Sequence, residues 1–219
     1  MLTSQLIVSN YPVIGPADKA GFALGLMEDY DVQHLPVVVE EKFKGLVSKD
    51  DLLDADEAAM VATLEGNWVK VAVQTHDHFL TALKQAATND ISLVAAINET
   101  GEYQGVITRI ELLHAASRFT GAEDPGGIIV LEMDKRNFSF GEMSRLVETN
   151  DAYITQINTY IDSTTGLLQV TVKVNRAEIS DIIATFQRYD YTIRYYFGEE
   201  NFQNELRENY DLLMTYLKM

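Results

Sequence analysis

Hydrophobic and polar positions in the first half of the chain run through the same series of periods twice. In the first pass Tyr11–Ile14 reads as extended. Pro16 precedes Asp18, which opens a helical pattern to about Asp29 with Phe22, Leu26 and Met27 on one side. Leu35–Val39 is a continuous apolar run of the kind that forms a buried strand, Glu40–Lys42 turns the chain and Phe43–Val47 returns. Ser48 then stands where its hydroxyl caps a helix starting at Lys49, because the first N–H groups of a helix have no partner within it. The second pass goes through Val69–Val73, His78–Ala87, Leu93–Ile97, Tyr103–Ile107 and a helix from Arg109, with hairpin chemistry in Asn98-Glu99-Thr100-Gly101. Each pass predicts strand–helix–strand–strand–helix.

The repetition extends to residues. Gly45-Leu46-Val47-Ser48-Lys49-Asp50-Asp51-Leu52-Leu53 recurs sixty positions on as Gly105-Val106-Ile107-Thr108-Arg109-Ile110-Glu111-Leu112-Leu113. Upstream the offset changes by one, so that Asp18 matches Asp77, Leu35 matches Val94 and Val38 matches Ile97. The repeats cover about 9–57 and 68–118, within a first domain of 1–118.

Residues 119–126, with Gly127 just after, break every period with glycines and a proline and read as a linker. A different series follows. Ile128–Met133 is a strand. Ser139–Thr149 is a helix with Ser139 as cap and Glu142 completing a capping box. Tyr153–Ile161 and Leu167–Asn175 alternate about the turn Ser163-Thr164-Thr165-Gly166, a hairpin. Glu178–Tyr189 is a helix with Ile179, Ile182, Ile183 and Phe186 inward, and Thr192–Phe197 is a last strand. The order is βαββαβ over 127–198, a ferredoxin-like arrangement. A C-terminal helix is expected within 199–219, where Phe202, Leu206, Tyr210, Leu213 and Leu217 fall at helical spacing. The fold class is therefore α+β / α/β.

Composition narrows the function. The 219 residues are 47% hydrophobic, an ordinary folded level, and include no cysteine, which excludes disulfides, thiolate catalysis and cysteine metal sites. The formal charge is −16, spread as eight basic against seventeen acidic residues up to position 118 and nine against sixteen after it. Such a field repels a phosphate backbone, so nucleic acid is not an expected partner. The longest apolar runs are too short to span a bilayer and Met1–Asn10 has no signal-peptide pattern, so the expectation is a cytoplasmic protein without a membrane partner. His76-Asp77-His78 falls at a helix start, where capping explains it and no metal is expected; His34 and His114 are isolated. No phosphate-cradling glycine loop or nucleophile elbow is present, so no catalytic residue is assigned and the chain is read as a non-enzyme.

The two repeats resemble CBS domains. Leu35-Pro36-Val37-Val38 looks like that family's strand signature, and Gly45-x-x-Ser48-x-x-Asp51 and Gly105-x-x-Thr108-x-x-Glu111 look like its strand-to-helix signature. The resemblance implies a pair of repeats about a pseudo-twofold axis, pairing further into a homodimer. It also implies an adenine nucleotide or adenosyl ligand (AMP, ADP, ATP or S-adenosylmethionine) in the cleft between the repeats. The residue chemistry suits that ligand. Ser48 and Thr108 stand at helix starts where phosphate is favoured, Lys49 and Arg109 add positive charge, and Asp51 and Glu111 can accept from a ribose diol. Val13, Leu35 and Pro36, or Val71, Val94 and Ala95, would wall the adenine. In the second copy Glu111 is one methylene longer than the usual aspartate, and Ala95 stands in place of Pro36.

The 127–198 segment resembles an ACT domain, which implies amino-acid sensing or dimerisation. Its loop Asp134-Lys135-Arg136-Asn137-Phe138 lacks the family's glycine, and Asn137 is the nearest match. The whole layout resembles acetoin-utilisation regulatory proteins. The expectation is a regulatory ligand-sensing protein with no permanent cofactor, acting on a protein target. The alternatives are a non-catalytic dimerisation scaffold with empty clefts and an amino-acid sensor working through the ACT-like domain.

Overall fold

The computed structural model describes residues 1–198, and the helix expected over Asn201–Leu217 lies outside them. The chain divides into two compact units, Met1–Phe119 and the residues from Thr120 on.

The first unit holds α1 (Ala20–Asp29), β1 (His34–Val39), β2 (Lys42–Ser48), α2 (Lys49–Leu53), β3 (Ala72–Gln74), α3 (Phe79–Asn89), β4 (Leu93–Ile97), β5 (Tyr103–Thr108) and α4 (Arg109–Phe119). β1 and β2 form one antiparallel sheet, and β3, β4 and β5 form another in which β3 is parallel to β4. Both hairpins carry a register shift at the same place, between Val37 and Val38 and between Ala96 and Ile97.

The first strand of each repeat is not the continuous segment that periodicity predicts. Ile14 bridges Val37 in its own repeat, whereas Val8 bridges Val106 in the other. Reciprocally, Val69 bridges Leu46 in the first repeat before β3 joins the second. Each repeat thus lends an edge to its neighbour's sheet. This exchange explains two glycines. A Cβ on Gly45 would lie 2.8 Å from Trp68 Cβ, and one on Gly105 would lie 2.5 Å from Ile7 Cγ2. Gly105 also has φ of +135°, which side chains disfavour. The incoming strand crosses where only a missing side chain leaves room.

Helix faces differ slightly from expectation. Ala20, Ala23 and Met27 of α1 pack with Leu35, Val37, Val47 and Leu52, while Phe22 is 55% exposed. The helix starts at Ala20 because Asp18 is used one turn earlier, its carboxylate accepting the Gly15 N–H at 2.7 Å. Asp77 does the same for the Gln74 N–H at 2.9 Å, and His78 is the cap of α3. Phe119, placed in the linker by sequence, ends α4 and its ring stands edge-on to Phe79.

The second unit holds β6 (Ile128–Met133), α5 (Phe140–Glu148), β7 (Ile154–Ile161), β8 (Leu168–Val174), α6 (Ser180–Arg188) and β9 (Thr192–Phe197). The sheet is antiparallel throughout in the order β7-β8-β6-β9. α5 and α6 cover one face, through Met143, Leu146 and Val147 and through Ile182, Ile183 and Phe186, against alternate residues of β6 and β8. Ser139 accepts the Glu142 N–H at 3.3 Å as predicted. The reciprocal half of the capping box is replaced, because the Glu142 carboxylate takes the Tyr191 hydroxyl at 2.9 Å.

Candidate functional site

In each repeat a buried strand (β2 or β5) runs directly into a helix, and this junction holds the residues that the repeated motif singled out. At the first junction Ser48 has extended backbone angles and its Oγ accepts the Asp51 N–H at 3.1 Å. The Ser48 hydroxyl donates to Asp51 Oδ2 at 2.5 Å, and Asn67 Nδ2 donates to Asp51 Oδ1 at 2.9 Å. Both carboxylate oxygens are therefore held in a fixed orientation by neutral donors. Lys49 is half-buried and its N–H donates to the Gln33 carbonyl at 2.9 Å.

At the second junction Thr108 Oγ1 accepts the Glu111 N–H at 3.3 Å. The Glu111 carboxylate accepts no hydrogen bond among the described residues. Arg109 donates its N–H to the Ser92 carbonyl at 3.0 Å, as Lys49 does to Gln33. Its guanidinium is committed to Asp90 Oδ1 at 2.7 Å and to the Ile91 carbonyl at 3.0 Å.

The missing partner of Glu111 has a local cause. Trp68 against Gly45 and Ile7 against Gly105 are equivalent crossings, so Leu6 is the counterpart of Asn67. Leu6 is buried in the core of the second repeat and has nothing to donate.

The two junctions meet at His34. Ser92 N–H donates to His34 Nδ1 at 3.3 Å with the Ser92 hydroxyl 2.8 Å away, joining the start of β1 to the residue before β4. An accepting Nδ1 puts the ring proton on Nε2. Burial, and then the Arg109 charge, hold the His34 pKa below the usual histidine value, against Asp50, Asp51 and Asp90, which raise it. Tyr11 donates its hydroxyl to the His34 carbonyl at 3.2 Å, and burial raises its pKa.

The residues expected to wall an adenine are placed unevenly. Val13 is 44% exposed and Val71 half-buried. Leu35, Val94 and Ala95 have no exposed surface and sit in the two hydrophobic cores, and Pro36 is buried beside Leu35. Sequence reading missed His34, Ser92, Asn67 and Tyr11. The only signal for them was a break in the repeat, since His34 stands where the second copy has Leu93 and Asn67 where the other crossing has Leu6.

The family model of the CBS domain matches residues 4–58. Among solved structures, a CBS domain pair/ACT domain protein from Thermotoga maritima is 21% identical, with 54% of this chain and 98% of that one covered, at a TM-score of 0.49. The CBS domains of a transcriptional regulator from Streptococcus pneumoniae are 15% identical, covering 52% and 98%, at 0.48. CBSX2 in complex with AMP is 20% identical, covering 54% and 97%, at 0.48. No helix among the described residues is long and apolar enough to cross a membrane.

Proposed function

We propose that the first unit is a regulatory module that binds an adenine nucleotide or adenosyl ligand at the first strand-to-helix junction. The observation that carries this reading is the Asp51 carboxylate, held in a defined orientation by Ser48 and Asn67. A carboxylate fixed in this way is ready to accept both hydroxyls of a ribose in exchange for its present donors. Lys49 and the junction N–H groups supply the positive side of a phosphate contact. The CBS match over 4–58 includes all of Ser48, Lys49 and Asp51 and supports the same reading. The second junction binds more weakly, because Arg109 is already paired and Glu111 has no donor to orient it.

The ligand acts by favouring one arrangement of the two repeats, which His34 and Ser92 tie together at the junctions. The second unit is read as an ACT-like partner domain. The whole assembles as a cytoplasmic homodimer; exposed Leu53, Ile110 and Leu113 on α2 and α4 support pairing through those helices.

Thermal unfolding of the full chain against AMP, ADP, ATP and S-adenosylmethionine tests the site. A ligand at 100 times its dissociation constant adds about 2.7 kcal/mol to the folded state. The increment with one of these ligands is expected to vanish in Asp51→Ala while that variant still unfolds cooperatively. Absence of any increment at millimolar ligand would overturn the reading and leave a scaffold.

A further inference from the structure

The contact between His34 and Ser92 lies in the middle of a run of hydrogen bonds that joins the two strand-to-helix junctions. Lys49, the first residue of α2, donates its N–H to the Gln33 carbonyl at 2.9 Å, and that carbonyl belongs to the peptide that leads into His34. His34 Nδ1 accepts the Ser92 N–H at 3.3 Å, with the Ser92 hydroxyl 2.8 Å away. The Ser92 carbonyl then accepts the N–H of Arg109, the first residue of α4, at 3.0 Å. The links at both ends are backbone to backbone. The imidazole is the titratable group in the run, and histidine ordinarily changes charge between about pH 5 and 8.

The two protonation states offer Ser92 different things. A neutral ring with its lone pair on Nδ1 accepts the N–H. A proton on Nδ1 makes both ring nitrogens donors. The Ser92 hydroxyl can turn and accept from it, but the backbone N–H cannot, so two donors then face each other.

The charge is also badly placed. The ring is half-buried. Burial and then the Arg109 guanidinium on α4 oppose the proton, and Asp50 and Asp51 on α2 and Asp90 at the end of α3 offset them only in part. The Tyr11 hydroxyl sits on the His34 carbonyl and brings no charge. An imidazolium therefore gains by reaching water, and the start of β1 must part from Ser92 for it to do so. The second repeat has Leu93 at the matching position, so nothing there duplicates the tie.

We propose that His34 is a pH-operated latch between the two repeats. With the ring neutral, the starts of α2 and α4 are held to each other through Ser92. A proton on Nδ1 releases Ser92 and lets the two helix starts move independently. The latch stands on contacts within the first unit and does not rest on the nucleotide reading. It gives the module acidity as an input of its own, acting on the arrangement of the repeats.

Amide exchange of the full chain, read by NMR as protection factors so that the intrinsic pH dependence of exchange is divided out, tests this while the His34 ring is titrated through its own resonances. The pH is kept above the ordinary carboxylate range. Protection of the Ser92 N–H is expected to fall about fivefold or more as the His34 ring takes up its proton, the scale of one lost hydrogen bond. Smaller falls are expected at the Lys49 and Arg109 N–H groups, and the Ala95 N–H, inside β4, is expected to stay protected. In His34→Leu the Ser92 N–H is expected to be poorly protected at every pH. His34→Asn puts an amide oxygen that does not titrate near the position of Nδ1, and is expected to keep Ser92 protected across the whole range.

Unchanged Ser92 protection across the His34 titration would overturn the proposal, as would a His34→Asn variant that loses protection with the pH dependence of the unmodified chain. Loss at Ala95 together with Ser92 would mean acid unfolding of the unit in place of a latch. Loss at Ser92 with Lys49 and Arg109 both unmoved would also overturn it, since the contact would then tie nothing to the helix starts.

Discussion

The two repeats of the first unit share a strand-to-helix motif, yet their junctions differ in how the acidic residue is held. Asp51 is oriented by Ser48 and Asn67, whereas Glu111 has only the backbone cap made by Thr108. The difference does not originate in the motif. It comes from the exchanged strands, because the segment crossing the first repeat brings Asn67 and the one crossing the second brings Leu6. A site built on a repeat is thus set as much by what the neighbouring repeat delivers as by its own signature.

The largest effect is expected at the crossings themselves. Gly105→Ala must accommodate a Cβ 2.5 Å from Ile7 at φ of +135°. A loss of about 3 kcal/mol or more is expected in urea unfolding, combining backbone strain and overpacking. Gly45→Ala meets Trp68 at 2.8 Å without the positive φ. About 1–3 kcal/mol is expected there, and equal losses at the two positions would show that the crossings are not distinguished by backbone strain.

Caps come next. Ser48→Ala removes both the cap and one donor to Asp51, and about 1–2 kcal/mol of stability should be lost. Thr108→Ala removes only a cap and should cost about 1 kcal/mol or less. The same urea midpoints read both. A Thr108→Ala loss larger than that of Ser48→Ala would reverse the ranking of the junctions.

His34 gives a pH-dependent contrast with its counterpart Leu93. Folding lowers the His34 pKa, so the folded state disfavours the proton. Its contribution is fully present above the ordinary value near 6.5 and is lost as pH falls through the window between that value and the lower folded one. Stability should fall as pH drops from 7.5 through the ordinary histidine range, and His34→Leu should flatten that part of the stability profile. An unchanged profile in the variant would assign the dependence to another group.

The smallest effect is expected from Asn67→Leu, which copies Leu6 into the first crossing. Asn67 is exposed, so its loss should cost less than about 0.5 kcal/mol. The informative readout is nucleotide affinity. Asp51 Oδ1 loses a competing donor in this variant but also an orienting one. If orientation matters more, as proposed, titration will show weaker binding by about threefold, and tighter binding would mean that Asn67 only blocks the site.

Elements with a clear period were legible in the sequence. β6 and β9 have the predicted limits, and Ile179, Ile182, Ile183 and Phe186 are buried as their spacing required. Pairing partners were not legible. A short apolar run such as Val69–Val73 has the same pattern whether it joins one sheet or is shared between two. Phe22 was placed inward because helical spacing gives a stripe but not its centre, and here small Ala20 and Ala23 take the buried positions. At the site, Ser48 and Asp51 could be found because they recur. His34, Ser92 and Asn67 act through partners far away in sequence, which no local signal encodes. Leu35 looked like a wall and is a core residue, since alternation along β1 turns it toward the helices.

The bridge between Val8 and Val106 also fixes an order of events during synthesis. The Leu6–Val8 segment has its pairing edge at the far end of the same unit, roughly a hundred residues later in the chain. At typical elongation rates of about 5–20 residues per second, Leu6, Ile7 and Val8 wait about 5–20 s before β5 exists to receive them. For that interval the nascent chain carries an unpaired apolar segment, available to chaperones. The last stitch of the first unit is therefore made by its earliest residues.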